Sequence, residues 1–222
     1  MRTRALGTKH SDPITEPLWL EWALLGSMLL FATWLLGMRG VWALLVRSDP
    51  TGITVVIIVV FFASTLWCGA RSRELQMQQR ALRAGLHAAP DSWAARYWQA
   101  LDAAPRDTSA PLDLLLDSSH GPHTTACWVN GIQLKLGLLG KVIGFSILAL
   151  QIGQIQNFDP AQAQDLLKSL TTGLGVALLT TMVGLVGNIL LGVQLTRLDR
   201  FADELVAAAQ QHGLSIRARS EG

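Results

Sequence analysis

Few side chains in this sequence can do chemistry, and the most telling of them lie in apolar surroundings. Thr180, Thr181 and Asn188 belong to GLGVALLTTMVGLVGNILLGVQL (Gly173–Leu195), and Lys141 to LGLLGKVIGFSILALQIG (Leu136–Gly153). Both segments are long enough to cross a bilayer. Hydroxyls, an amide and an ammonium in that setting can line a path for an ion or meet a polar group brought alongside, whereas a simple lipid anchor has no use for them. Ala177, Thr181, Gly184 and Asn188 recur at i, i+4, i+7 and i+11 and so share one helical face. Such a face turns toward protein or water. A plainer reading has the Thr hydroxyls bonded to carbonyls one turn back. That accounts for one of them and less readily for the alignment of Asn188.

Other reactive groups make weaker patterns. His120-x-x-His123 with Cys127 has the flavour of a metal cluster but lacks a fourth ligand at a set spacing. Asp199, Asp203 and Glu204 beside Arg197 and Arg200 read as a solvated helix face, with partner docking as the alternative. No Ser/His/Asp array and no zinc-hydrolase motif occurs, and GLLGKV lacks the spacing of a phosphate-binding loop. The expectation is therefore a non-enzyme with no metal and no cofactor.

The elements that hold these groups are membrane helices. Half of the 222 residues are hydrophobic and 15% are charged, against about a quarter charged in soluble domains. Mean hydropathy is +0.33. A net charge of +2 gives no footing for nucleic acid. Cys68 and Cys127 read as free thiols. Four stretches satisfy the length of roughly 20 apolar residues that a bilayer demands: Leu18 to Met38, Gly52 to Ala70, Leu136 to Gly153 and Gly173 to Leu195. The first is too long for a signal-peptide core, and no cleavage site follows it. Trp19, Trp22, Trp34, Trp42 and Trp67 lie in or near the first two, as interfacial aromatics do.

Basic residues set the orientation. Arg2, Arg4 and Lys9 precede the first span; Arg71, Arg73, Arg80, Arg83, Arg96 and Arg106 follow the second; Arg197, Arg200, Arg217 and Arg219 follow the fourth. The opposite side has Arg39, Arg47 and Lys168. The positive-inside rule places both termini and the long loop in the cytoplasm. The organisation expected is an all-α, polytopic membrane protein with four transmembrane helices and long cytosolic helical extensions. Its parts are a tail over 1–17, two spans over 18–70, a cytosolic helical loop over 71–127, a two-span region over 128–205 and a tail over 206–222. Within the loop, Arg71 to His87 continues the second span, Asp91-Ser92 caps a short helix to Ala104, Pro105 to Pro111 turns, and Leu112 to Asp117 forms a further piece. The last span continues as an amphipathic helix with Leu198, Phe201, Leu205 and Ala208 in one stripe, ending at Gly213.

Glycines mark close helix contact. Gly140 and Gly144 form a GxxxG with Gly137 one turn earlier, and Gly184 and Gly187 do similar work on the last span. Contact within one subunit and contact between subunits both remain open. GLLGKVIG followed by ALLTTMVGLVG resembles the MotA/TolQ/ExbB proton-channel family, over about residues 128–205. Members carry a GLxGTVxG-like stretch on one span and an AL-x-x-T-x-x-G-L stretch on the last. The two extra N-terminal spans are similar to the four-span MotA layout.

The resemblance implies a ring of about five copies around two single-span partner helices of the MotB/TolR/ExbD type. A membrane Asp on each partner takes up and releases protons, and hydroxyls of the ring line the path. The positions that match are Thr181 and Lys141, with Thr180 and Asn188 nearby. Lys141 departs from the pattern, which has Thr there. It can snorkel to the cytosolic interface, face the ring axis and pair with the partner's carboxylate, or relay protons itself. Downstream, Gly187-Asn188-Ile189 replaces the family's usual Ala-Ile-Pro. A non-conducting scaffold that kept the ring but lost the ion path through Lys141 is the alternative.

Overall fold

The structure, a computed structural model, describes residues 18–49, 51–84, 89–103, 109–153 and 160–220. They form six α-helices and, among the described residues, no strand: α1 (Leu18–Met38), α2 (Val41–Ser48), α3 (Ile53–Ala84), α4 (Trp93–Ala103), α5 (Ser109–Gly153) and α6 (Pro160–Ser220). Three stretches are long and apolar enough to cross a membrane, namely Ile53–Ala84, Ser109–Gly153 and Leu167–Ser215; Trp22–Met38 is a shorter apolar helix. The N-terminal tail over 1–17 lies outside the described residues.

Local chemistry explains the helix limits. α3 opens on a β-branched run, ITVVIIVV, that suits a strand in water. In an apolar medium its backbone must bond internally, which a helix does alone. Asp49 fixes where it starts. Its carboxylate accepts the N–H groups of Thr51 (3.0 Å) and Thr54 (2.6 Å) and the Thr51 hydroxyl. Burial by itself raises the pKa of Asp49, but the hydrogen bonds from Thr51 and Thr54 outweigh it and hold the group below the ordinary carboxylate value. At α4 the Ser92 hydroxyl accepts the Ala95 N–H at 3.2 Å, the N-cap expected from Asp91-Ser92.

Two expected breaks are absent. Leu112–Asp117 is not a separate piece: α5 runs unbroken from Ser109, with Pro111 in its first turn and Pro122 inside it. Proline lacks the N–H that would bond the carbonyl four residues back. For Pro122 that carbonyl is Ser118, and Arg71 of α3 donates to it at 2.8 Å and to Ser119 at 2.8 Å. The helix tolerates the proline because another helix fills the bond. α6 likewise does not stop at Gly213 but continues to Ser220. Gly213 serves close packing instead: a β-carbon there would lie 3.1 Å from the Trp98 ring and 3.3 Å from Tyr97 of α4. Trp98 also donates its indole N–H to the Ala209 carbonyl at 2.9 Å, clamping α4 to α6. Of the expected stripe, Leu198 and Leu205 are buried and Ala208 is exposed; Ala202, Val206 and Ala209 complete the inner face. With Leu75 of α3 and the aromatic residues of α4 these residues belong to the main apolar core.

α5 and α6 form the most extensive helix pair, and small residues bring them together. A β-carbon on Gly140 would lie 2.6 Å from Thr180 Oγ1; on Gly144, 2.9 Å from the Ala177 nitrogen and 3.0 Å from the Gly173 oxygen; on Gly184, 2.9 Å from the Gln133 oxygen and 3.0 Å from the Gly137 α-carbon. The two backbones touch. Gly184→Ala is therefore expected to push rigid backbone apart and cost about 1–3 kcal/mol. Gly131→Ala, on α5 with nothing within 4 Å of its β-carbon position, should leave stability unchanged or raise it by up to ~1 kcal/mol. Denaturation of the two variants in the same detergent separates them; equal stabilities would mean the seam is not closely packed.

Candidate functional site

The contacts along α5 and α6 run antiparallel in steady register. Gly144 faces Ala177, Gly140 faces Thr180, Gly137 faces Thr181 and Gly184, and Gln133 faces Gly187. Asn188 Nδ2 donates to the Asn130 carbonyl at 2.9 Å. All five glycines singled out by their spacing therefore lie in contact within one chain. Gly187 also approaches Phe61 of α3, its β-carbon position lying 3.6 Å from the ring. Thr181 and Asn188 stand roughly 100–120° around the helix from Gly187, on the flank of the seam away from Phe61.

The hydroxyls divide. Thr180 is fully buried against Gly140 and donates to the Val176 carbonyl at 2.9 Å. Thr181 is half-buried and donates to the Ala177 carbonyl at 2.8 Å, with the Gly137 carbonyl of α5 at 3.3 Å. Both thus bond one turn back, and Thr181 alone also reaches across. The Gly137 carbonyl is the one that accepts the backbone N–H of Lys141, four residues on. Lys141 and Thr181 are therefore adjacent at one height of the hairpin. The Lys141 side chain is exposed, beside the exposed Val142 and Phe145. It forms no ion pair among the described residues.

Below the apolar stretches the same register makes a second polar site that the spacing of residues does not announce. His123 Nδ1 lies 2.6 Å from Asp199 Oδ1, and His120 Nε2 lies 3.0 Å from Asp203 Oδ1. Arg71, itself 6% exposed, donates through Nε to His123 Nε2 at 3.3 Å and pairs with Glu74 at 2.6 Å. Its guanidinium also stacks 5.0 Å over the Trp93 ring. A guanidinium only donates. His123 Nε2 must then accept, and the ring proton sits on Nδ1, donated to Asp199. That bonding holds the imidazole neutral. Burial lowers the pKa of His123, helped by the positive Arg71 and by His120, and the Asp199 carboxylate opposes it without cancelling it.

This arrangement revises one reading. Asp199 and Asp203 each close a rung to a histidine, Asp203 while staying 72% exposed, and Arg200–Glu204, at 3.8 Å, has the exposed character expected. The rings of His120 and His123 stand edge to face 5.9 Å apart, and no group of three or more side chains that could hold a metal ion occurs among the described residues. The coordinating nitrogen of His123 is occupied by Arg71. Both cysteines are free, Cys68 buried and Cys127 exposed. A signal for the cluster did exist in the sequence: Pro122 at a helical position frees the Ser118 carbonyl, and a buried cation is its natural partner.

Comparison with models of protein families, with curated protein sequences and with solved structures gives no match.

The lowered pKa of His123 sets a sign. The unfolded chain takes up a proton near the ordinary value of 6.5, and the folded chain does so only at lower pH. The stabilisation is fully present above that value and is lost as pH falls through it. Tm of the purified protein should drop between pH 7.5 and 5.5. His123→Gln, whose amide can still accept from Arg71 and donate to Asp199, should flatten that drop whatever its effect at pH 7.5. Identical pH slopes for the two proteins would show that His123 does not titrate this way.

Proposed function

We propose that this chain is a subunit of an ion channel in a bacterial cytoplasmic membrane. In this reading it has four transmembrane helices and both termini in the cytosol, forms a ring of about five copies, and couples proton-motive force to mechanical work through a single-span partner of the MotB/TolR/ExbD type. The observation that carries the reading is the polar spot made by Thr181 and Lys141 around the Gly137 carbonyl, set with Asn188 on a largely apolar flank of a glycine-packed hairpin. A helix pair that served only as an anchor would keep such a spot apolar, because polar groups at that depth are costly. The distribution of Lys and Arg supports the orientation. The resemblance in GLLGKVIG and ALLTTMVGLVG supports the family of mechanisms.

A specific observation favours a second reading, a non-conducting scaffold. Thr180 and Thr181 already donate to carbonyls of their own helix, and an ammonium stands where the resemblance has a hydroxyl. A hydroxyl whose proton is committed still accepts, so Thr181 can take part in a path but cannot alone complete one.

The test is proton flux. The complex is purified with its bound partner from native membranes, reconstituted into liposomes holding a pH-sensitive dye, and driven by a potassium diffusion potential. Flux should exceed that of protein-free liposomes, fall at least tenfold in Thr181→Ala, and survive in Thr181→Ser. No flux from an intact wild-type complex would overturn the channel and leave the scaffold.

A further inference from the structure

We infer that the side-chain amide of Gln133, with that of Asn130 beside it, is a binding site for ordered water at the junction of α3, α5 and α6, within the membrane-length stretches. The inference goes beyond the function proposed above and stands whether or not the assembly conducts ions.

The amide is closed off from solvent and from the rest of the chain. Gln133 is 0% exposed, and neither its Oε1 nor its Nε2 has a protein partner. One turn earlier on α5, Asn130 Oδ1 is buried and equally without a protein partner. The main chain at both positions is fixed in the seam. The Gln133 carbonyl oxygen lies 2.9 Å from the β-carbon position of Gly184, and the Asn130 carbonyl accepts from Asn188 at 2.9 Å. Neither side chain can therefore swing to a polar surface without opening the hairpin. A buried amide with no partner is costly. Interiors meet that cost with ordered water, which makes about three hydrogen bonds to such groups.

Gly187 gives the amide its opening. A β-carbon there would lie 2.9 Å from Gln133 Oε1 and 3.6 Å from the Phe61 ring. No side chain closes the notch, and Phe61 of α3 walls it with an apolar face that offers no competing acceptor or donor. Gln194, two turns on along the same face of α6, repeats the pattern. Its Nε2 donates to Thr65 Oγ1 at 3.4 Å, and its Oε1 has no protein partner. Leu191, wholly buried, stands between the two on that face, so the two amides belong to separate sites and not to one continuous file.

The donor set selects water over an ion. Gln133 and Asn130 present two acceptors, Oε1 and Oδ1, and one donor, Nε2. A cation takes acceptors only and an anion donors only, whereas water donates twice and accepts. No Asp or Glu occurs in 53–70, 128–153 or 168–195 to balance a cation. Lys135 and Lys141 of α5 are exposed, on faces away from the buried amide. A bound ion here would lack any counter-charge, which makes its burial prohibitive.

Radiolytic footprinting tests the site. An X-ray pulse makes hydroxyl radicals from water where it stands, so bound water marks the side chains it touches even where bulk solvent does not reach. The full chain, purified from native membranes in detergent, is irradiated and oxidation is read residue by residue by mass spectrometry. Phe61 should be oxidised at least fivefold faster in the wild type than in Gln133→Met, a variant of similar volume expected to melt at the same temperature. Should that variant not fold, Gly187→Ala, which fills the notch, should show the same loss of label. No oxidation of Phe61 in the wild type, or equal oxidation in the wild type and a folded variant, would overturn the site.

Discussion

The contact of two backbones along the α5–α6 seam is the constraint from which the rest follows. Within lipid there is no hydrophobic gain from bringing helices together, so association depends on close packing and on bonds between polar groups. Gly137, Gly140, Gly144, Gly173 and Gly184 remove the side chains that would hold the helices apart. Dispersion contacts, individually ~0.1–0.2 kcal/mol, then accumulate along the whole pair. The same closeness leaves no freedom in register, and register decides which polar groups meet. It sets Thr181 at the Gly137 carbonyl, Asn188 at Asn130, His123 at Asp199 and His120 at Asp203.

The polar groups so placed follow different rules at different depths. In the seam, hydroxyls are satisfied by carbonyls of their own helix and add little cross-helix energy. In the extension, Arg71 has its charge taken out of water, a cost that only full pairing offsets. It is met by Glu74, by two carbonyls, by His123 and by the face of Trp93. Removing one partner there leaves a buried charge exposed to its full desolvation penalty. Gln133 is the contrast: wholly buried beside Gly187, it has no protein partner for either amide atom. Its value is therefore not a hydrogen bond within the chain, and an apolar residue of similar volume would hold that position at no loss.

What could be read from the sequence was whatever is periodic within one helix. The apolar stretches, the Ser92 cap, the run of α3 beyond its apolar part and the small-residue faces of α5 and α6 all express spacing along a single element. What could not be read depends on how two elements are aligned. Asp199 and Asp203 have the spacing of a solvated face, and only the seam, set many residues away by glycines, turns them onto histidines. Gly213, expected to end the last helix, and Pro122, a helix breaker by type, are overridden for a related reason. Each is a stop signal by its local chemistry, and each is overridden by a neighbour, Arg71 filling the carbonyl that proline leaves and Trp98 packing where glycine has no side chain. The residues of the membrane spot were legible as types, but their adjacency was not, since Lys141 and Thr181 lie forty positions apart.

The seam also restricts how the protein can move. Sliding α5 by one turn along α6 would bring Gln133, a large polar side chain, to the level where Gly137 now touches Thr181 and Gly184, and would draw His123 off Asp199. Both ends resist the same displacement, one by volume and one by lost pairing. Packed interfaces of this kind have discrete arrangements and do not deform continuously. The α5–α6 hairpin is therefore a rigid lever. Lys141 and His123 are eighteen positions apart on one helix, about 27 Å, and a push at the first is delivered undiminished to the second. Whatever acts on the Thr181–Lys141 spot must move the hairpin as a body against α1 and α3, and the ionic cluster around Arg71, which ties α3 to α5, is where that motion meets polar resistance.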